Sequence, residues 1–364
     1  MSLVFDCGSS TTKLGFSRNN APLAYEPSMV AGDFTALDCG GSTFHFGRSA
    51  ARLEDSRSFI RNGFVSGWCD WEGFMQSCFT EVLCVDPRDY PLVLSAPPLS
   101  PWGYRGRLAE SAFEVFDSPS IAVESQPVLA LYALGGEGAP TGVVVDAGET
   151  GVSVVPVVDG YVVGGGVRRS PVGGAAVTGI FSEALTARGE LAGWNAGGRD
   201  LLEISKKVKE ASAFVSQDPL KEEFTKWVEL GSSVKVEVGF EAFLGPEIYF
   251  ESEISGHSPV LPAVVAESVS LCPLDYRKKL FSNIFLCGGG ASMPGFRSRL
   301  KSELKRGVSK GSEVVVSSDL EISKFAVWAG AAILAETKGF SKRVLTKKEY
   351  FENGAFRFET LADD

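Results

Sequence analysis

The chain has 364 residues, 44% hydrophobic and 22% charged, with a net charge of -10. That length exceeds what one hydrophobic core usually serves, so two lobes are expected, and the composition is that of a globular protein. The acidic balance argues against a surface that coats nucleic acid. Two histidines, His45 and His257, leave no room for a histidine-based triad or a multi-histidine metal centre.

The seven cysteines, at 7, 39, 69, 78, 84, 272 and 287, form no C-x-x-C pair. They read as free thiols of a reducing compartment. The opening Met1-Ser2-Leu3-Val4-Phe5-Asp6 lacks the pattern of a secretion signal. No apolar run is long enough to span a bilayer, so no membrane partner is expected.

In chain order, Ser2 to Asp6 predicts a short buried strand, Gly8-Ser9-Ser10 a turn, and Thr12 to Phe16 the returning strand. A helix is expected from Ser100-Pro101, with Leu108, Ala112, Phe113 and Phe116 on one face. Another runs from Pro127 to Leu134, closed by Gly135-Gly136. Val143 to Asp146 repeats the opening strand, Ala147 to Thr150 turns, and Val152 to Val158 returns. Asp159-Gly160 then leads into a third strand at Tyr161 to Val163. Asp200 to Val215 predicts a charged amphipathic helix. Helices at Asp275 to Phe281, Phe296 to Arg306 and Phe325 to Glu336 alternate with strands at Ile284 to Cys287 and Val314 to Val316. Thr346-x-x-Glu349 is a capping box. The class is α/β with mixed sheets, and the two strand–Asp–x–Gly–turn–strand units suggest an internal duplication.

Three segments carry chemistry. In Asp6-Cys7-Gly8-Ser9-Ser10-Thr11-Thr12-Lys13, small residues leave backbone N–H groups open to an anion, and Lys13 adds positive charge. A carboxylate beside phosphates calls for a cation between them, which makes Asp6 a candidate magnesium residue. Asp146-Ala147-Gly148-Glu149-Thr150-Gly151 repeats the pattern, with Asp146 as the second carboxylate. Each hairpin alone is equally an ordinary turn; the pair favours a polyphosphate clamp. The glycines of Cys287-Gly288-Gly289-Gly290-Ala291-Ser292-Met293-Pro294 follow a buried strand and permit close approach to a ribose or base. Met293 could cover a flat ring.

These segments resemble the two phosphate loops and the adenosine loop of the actin family, within the wider group of sugar kinases and heat-shock 70 chaperones. The stretches Ala21 to Val30, Val128 to Ala133, Val327 to Leu334 and Lys347 to Tyr350 are similar to actin itself. The resemblance implies an actin-like ATPase fold, two duplicated lobes around a nucleotide cleft. The first lobe would be 1–135 plus 325–364, with a reduced subdomain at 29–61. The second would be 136–324, with a peripheral subdomain at 176–253. It implies ATP or ADP with Mg2+ (or Ca2+) as cofactors. Asp6 and Asp146 would lie near the metal, and Gly8, Ser9, Ser10, Lys13, Gly148, Glu149 and Thr150 around the phosphates. Lys206, Lys209 and Glu210 would meet base and ribose, and Gly174, Gly288, Gly289, Gly290, Met293 and Lys324 would complete the adenosine pocket.

Departures from the family shape the expected function. Gln126 matches the family's water-positioning glutamine, and Asp146 is the second catalytic candidate, but Ser153 replaces a histidine. Glu149 replaces an aspartate and Ser10 a glycine. Nucleotide binding with slow or absent hydrolysis is expected. The DNase-binding loop, within Asp33 to Ser58, and the hydrophobic plug, at Ser252 to Leu261, are shortened. In this the chain is similar to the divergent actin-related protein at the pointed end of dynactin, implying a structural or filament-capping subunit. Its partners would be actin-like filament subunits and other subunits of a complex. A chromatin-remodelling subunit, a polymerising actin-like ATPase and a small-molecule kinase remain alternatives. Basic residues occur only in pairs, as at Lys206-Lys207 and Lys347-Lys348, favouring the cytoplasm and its cytoskeleton over the nucleus.

Overall fold

Alternating apolar strands and amphipathic helices can bury their faces only by layering helices on sheets, and the chain does so twice. The computed structural model describes residues 1–32, 44–135, 138–191, 198–230, 234–308, 313–319 and 321–356. The Asp38 to Thr43 stretch read as a shortened loop lies outside them. The chain divides into two compact units, Met1–Pro140 with Phe325–Asp364, and Thr141–Lys324.

The first unit is built on a six-stranded sheet. Its order is Leu345–Thr346, Ser120–Ser125, Leu92–Ala96, Leu3–Cys7, Thr11–Phe16 and Ala24–Pro27. Leu3–Cys7 makes an antiparallel hairpin with Thr11–Phe16 and runs parallel to Leu92–Ala96 on its other side. Leu3, Val4 and Phe5 are all fully buried, as expected of a central strand covered on both faces. One face packs on Trp71, Phe74, Phe79 and Phe113. Against the other lies the apolar helix Ala326–Ala335, whose Trp328 Nε1 donates to Val4 O at 3.1 Å. A chain segment more than three hundred residues distant thereby seals the first strand.

The second unit repeats this order and sense in a mixed sheet. Gly142–Ala147 forms an antiparallel hairpin with Val152–Val158 and runs parallel to Ile284–Cys287, which runs parallel to Val316–Ser317. Tyr161–Val162 and Arg168–Ser170 both pair with Val152–Val158. In both hairpins the aspartate is the penultimate residue of the first strand, Asp6 opposite Lys13 and Asp146 opposite Ser153. A shared register thus puts the two carboxylates in equivalent positions of the two sheets.

Some boundaries differ from expectation. The charged helix spans Gly198–Ser212. It stops short because Val215 N donates to Pro294 O at 2.8 Å, which takes the chain out of helical geometry. The last strand of the second sheet is Val316–Ser317 rather than Val314 to Val316, since Val315 bonds to Phe281 O and Ile284 N at the sheet's margin. The helix expected from Ser100 begins at Trp102 and widens into a π turn at Ser111–Val115, which brings Ala112, Phe113 and Phe116 into the core. The capping box forms: Thr346 Oγ1 accepts from Glu349 N at 3.2 Å, and Glu349 Oε2 accepts from Thr346 N at 2.9 Å.

Two contacts hold these layers. In the first unit a Cβ added to Gly330 would fall 1.7 Å from Leu129 O, because the helices Gln126–Tyr132 and Ala326–Ala335 cross backbone to backbone. In the second, Arg299 of the helix Phe296–Gly307 is 6% exposed and shared by three carboxylates. Its Nε reaches Glu303 at 2.8 Å, Nη1 reaches Glu247 at 3.2 Å and Nη2 reaches Glu251 at 3.8 Å. Nη1 also donates to Ser216 O at 2.8 Å. Burial pushes the Glu247 carboxyl up to about 7, against the pull of Arg299 and with the repulsion of Glu251 and Glu303.

Gly330→Ala is expected to destabilise the protein by about 3 kcal/mol or more, since neither backbone can recede; a shift of the urea midpoint measures it. Glu247 holds its proton more tightly folded than unfolded. Its contribution is therefore complete below the ordinary carboxylate range and is lost as pH rises toward about 7. Stability is expected to fall over that window by at most about 3 kcal/mol. In Glu247→Gln, pH-dependent denaturation should show that slope flattened.

Candidate nucleotide site

In the first unit, Asp6 is 4% exposed, and a buried carboxylate requires partners. It has them. Lys13 Nζ lies 3.1 Å from Oδ2, and Ser95 Oγ donates to Oδ1 at 2.8 Å. Gln126 Nε2 in turn donates to Ser95 Oγ at 3.4 Å, so the expected catalytic glutamine and the expected metal residue are bridged by a serine that sequence reasoning passed over. The signal was present: Ser95 sits at the carboxyl end of the buried parallel strand Leu92–Ala96, where open α/β sheets bind ligands.

The turn after Asp6 is pulled inward by its carbonyls. Ser28 Oγ donates to Gly8 O at 2.6 Å, Ser28 N to Ser10 O at 3.0 Å and Ser58 Oγ to Ser9 O at 3.4 Å. The Ser9 N–H has no protein acceptor among the described residues. A turn with its carbonyls engaged and an N–H left outward suits an anion. Burial pushes the neighbouring Cys7 thiol up to about 11, so it is no nucleophile.

The second unit builds the same device by other means. The helix Gly174–Ala187 abuts the turn, its Gly174 and Ala175 N–H groups donating to Gly148 O and Glu149 O, both at 2.9 Å. The Glu149 and Thr150 N–H groups have no protein acceptor among the described residues. Gly288 lies beside Asp146, and its φ of +90° and close approach exclude any side chain: a Cβ there would stand 2.3 Å from Asp146 Oδ1. Gly289 of the same turn faces open space. Ser153 lies across the hairpin from Asp146.

The charged helix divides the residues assigned to it. Lys206 Nζ is 3.6 Å from Glu149 Oε1 and partly exposed, and Glu210 is exposed. Lys209 is 9% exposed and donates to Gly174 O at 3.0 Å and Thr178 Oγ1 at 2.9 Å, with Glu149 at 4.0 Å. Burial lowers its pKa and the Glu149 charge partly restores it. Its ammonium is spent on pinning two helices and the loop together. Helical periodicity held the clue, because Lys209 shares the buried stripe of Ser205, Val208 and Ser212. Met293 packs against the unit's apolar core, and Lys324 is exposed.

No group of three or more metal-ligating side chains occurs among the described residues. A single carboxylate beside hydroxyls, as in each hairpin, suits a cation that keeps most of its waters. Among the described residues no helix is long and apolar enough to cross a membrane.

The family model for actin matches residues 1–192 and 198–360. The chain is 32% identical to actin-related protein 3 of Oryza sativa subsp. indica, covering 97% of this chain and 95% of the relative. It is 32% identical to actin-related protein 3 of Acanthamoeba castellanii, with the same coverage. It is 30% identical to that of Dictyostelium discoideum, covering 99% and 97%. None of these three is named as a dynactin subunit, so the narrower kinship expected from the sequence gains no support. The match along nearly the whole chain, on two sheets flanked by helices, establishes that this chain belongs to the actin family and has the actin-like fold.

Proposed function

We propose that the chain is an actin-related cytoskeletal protein that binds ATP or ADP with a divalent cation and works as a subunit of a larger assembly. The observation that carries the nucleotide reading is the matched pair of hairpins: a penultimate aspartate, a turn with engaged carbonyls and outward N–H groups, in each unit. Ser9, Ser10, Lys13, Gly148, Glu149 and Thr150 would hold phosphates, and Asp6 and Asp146 the cation through its waters. Lys206 and Glu210 would meet the ribose, with Gly174, Gly288, Gly289, Gly290 and Lys324 around the adenosine. Lys209 and Met293 would act from behind. The bound cation would neutralise phosphate charge; Ser95 and Lys13 hold the Asp6 side chain in place.

Hydrolysis is expected to be slow. Ser153 offers only a short hydroxyl across from Asp146, too small to reach and align a water as a longer imidazole would. A polar Ser252 to Leu261 segment that forms one short helical turn, Ser252–Ser255, before Gly256 favours a fixed subunit over self-assembly into filaments. Filament capping of the dynactin kind is the narrower form of the idea, and the cytoplasm its natural place.

Magnesium ATP at about a hundred times its Kd should raise unfolding free energy by about 2.7 kcal/mol, read as a rise in melting temperature. Asp146→Asn should bind at least about tenfold more weakly and lose the advantage of magnesium over EDTA. No shift in the wild-type protein would sink the nucleotide reading. In a pelleting assay with magnesium ATP, the protein should stay in the supernatant and release phosphate slowly. Ser153→His should speed that release by about tenfold or more. Abundant filaments would remove the fixed-subunit reading, and rapid wild-type turnover the account of Ser153.

A further inference from the structure

Tyr249 ends the short helix Gly245–Tyr249 and is 2% exposed, its ring against Phe296 at 5.1 Å between centroids. The hydroxyl is buried too, and finds no hydrogen-bond partner among the described residues. A phenylalanine would fill the same space without that cost. Where the hydroxyl points is informative. A Cβ placed on Gly290 would lie 3.3 Å from Tyr249 Oη and 3.1 Å from both Ala147 O and Ala147 Cβ. The hydroxyl therefore lies close to Gly290 of the glycine turn, near the start of the Ala147 to Thr150 turn. Burial, reinforced by the charge of Glu149, pushes its pKa well above the ordinary tyrosine value, so at neutral pH it is a donor.

We propose that the Tyr249 hydroxyl is a positioning donor held for the nucleotide-bound form: when magnesium ATP seats against these two turns, an oxygen brought to the gap beside Ala147 and Gly290 accepts its hydrogen bond. This rests on the nucleotide reading above. An unmatched hydroxyl penalises the empty protein and is relieved on binding, so it adds to affinity without adding to the stability of the free fold. A tyrosine kept only for packing behaves otherwise, since removing its hydroxyl would leave the affinity for nucleotide unchanged.

Tyr249→Phe separates the two. Without nucleotide, its melting temperature should equal or exceed that of the wild type, while calorimetric titration with magnesium ATP should show about tenfold weaker binding. A lower melting temperature without nucleotide, whatever the affinity, overturns the proposal, as does unchanged affinity in a wild-type protein that binds. Absence of binding by the wild type instead removes the nucleotide reading itself, and this role for Tyr249 with it.

Discussion

A carboxylate at the end of a buried strand has to be compensated, and the first unit is arranged around that requirement. Asp6 is nearly inaccessible, so its carboxyl group needs partners within the protein. Lys13 answers it from the adjacent strand, one residue pair across the hairpin, and Ser95 from the parallel strand on the other side. Each partner comes from a different neighbour of the same central strand. The register of all three is thereby fixed: a slip of one residue would turn Asp6 to the opposite face, away from Lys13 and Ser95. The turn between Asp6 and Lys13 inherits its shape from that constraint.

In the second unit the equivalent aspartate is only partly buried, and its surroundings differ. Opposite Asp146 stands Ser153, and just past the neighbouring parallel strand Gly288 leaves no room for a side chain beside the carboxylate. The positive charge arrives from the helix Gly198–Ser212, through Lys206 and Lys209, and is directed at Glu149. The repeated strand order therefore carries two different electrostatic arrangements, one compact and one spread over the helices packed on the sheet. The spread version ties the turn to both helices, because Lys209 bonds to Gly174 O and Thr178 as well.

The hairpins, their turns and the capping box were legible because their signals are local: alternation, Asp-x-Gly, and a Thr–Glu spacing of three. Ser95 was not singled out because a serine closing a strand carries no signature of its own; its role depends on which strand lies beside it. Lys209 was grouped with Lys206 and Glu210 through the family resemblance, yet it sits three residues past Lys206 on the stripe that packs inward. There two hydrogen-bond acceptors wait for its ammonium, and the lysine is spent as a buried pin. The helix ends were displaced wherever a backbone bond to a distant segment, such as Val215 to Pro294, competed with continuing the helix.

The side chain at 149 shows how a small change in such a frame propagates. A glutamate reaches one methylene further than an aspartate, and here its carboxylate lies between Lys206 and Lys209, at 3.6 and 4.0 Å. Those distances are long for hydrogen bonds, so the attraction is that of charges at short range, strengthened by the partial burial of all three groups. Any anion approaching the turn must share Lys206 with Glu149. A longer acid at this position thus lets the turn engage both lysines of the helix. Were phosphate to bind there, anchoring of the loop and attraction for the phosphate would oppose one another, because both draw on the charge of Lys206.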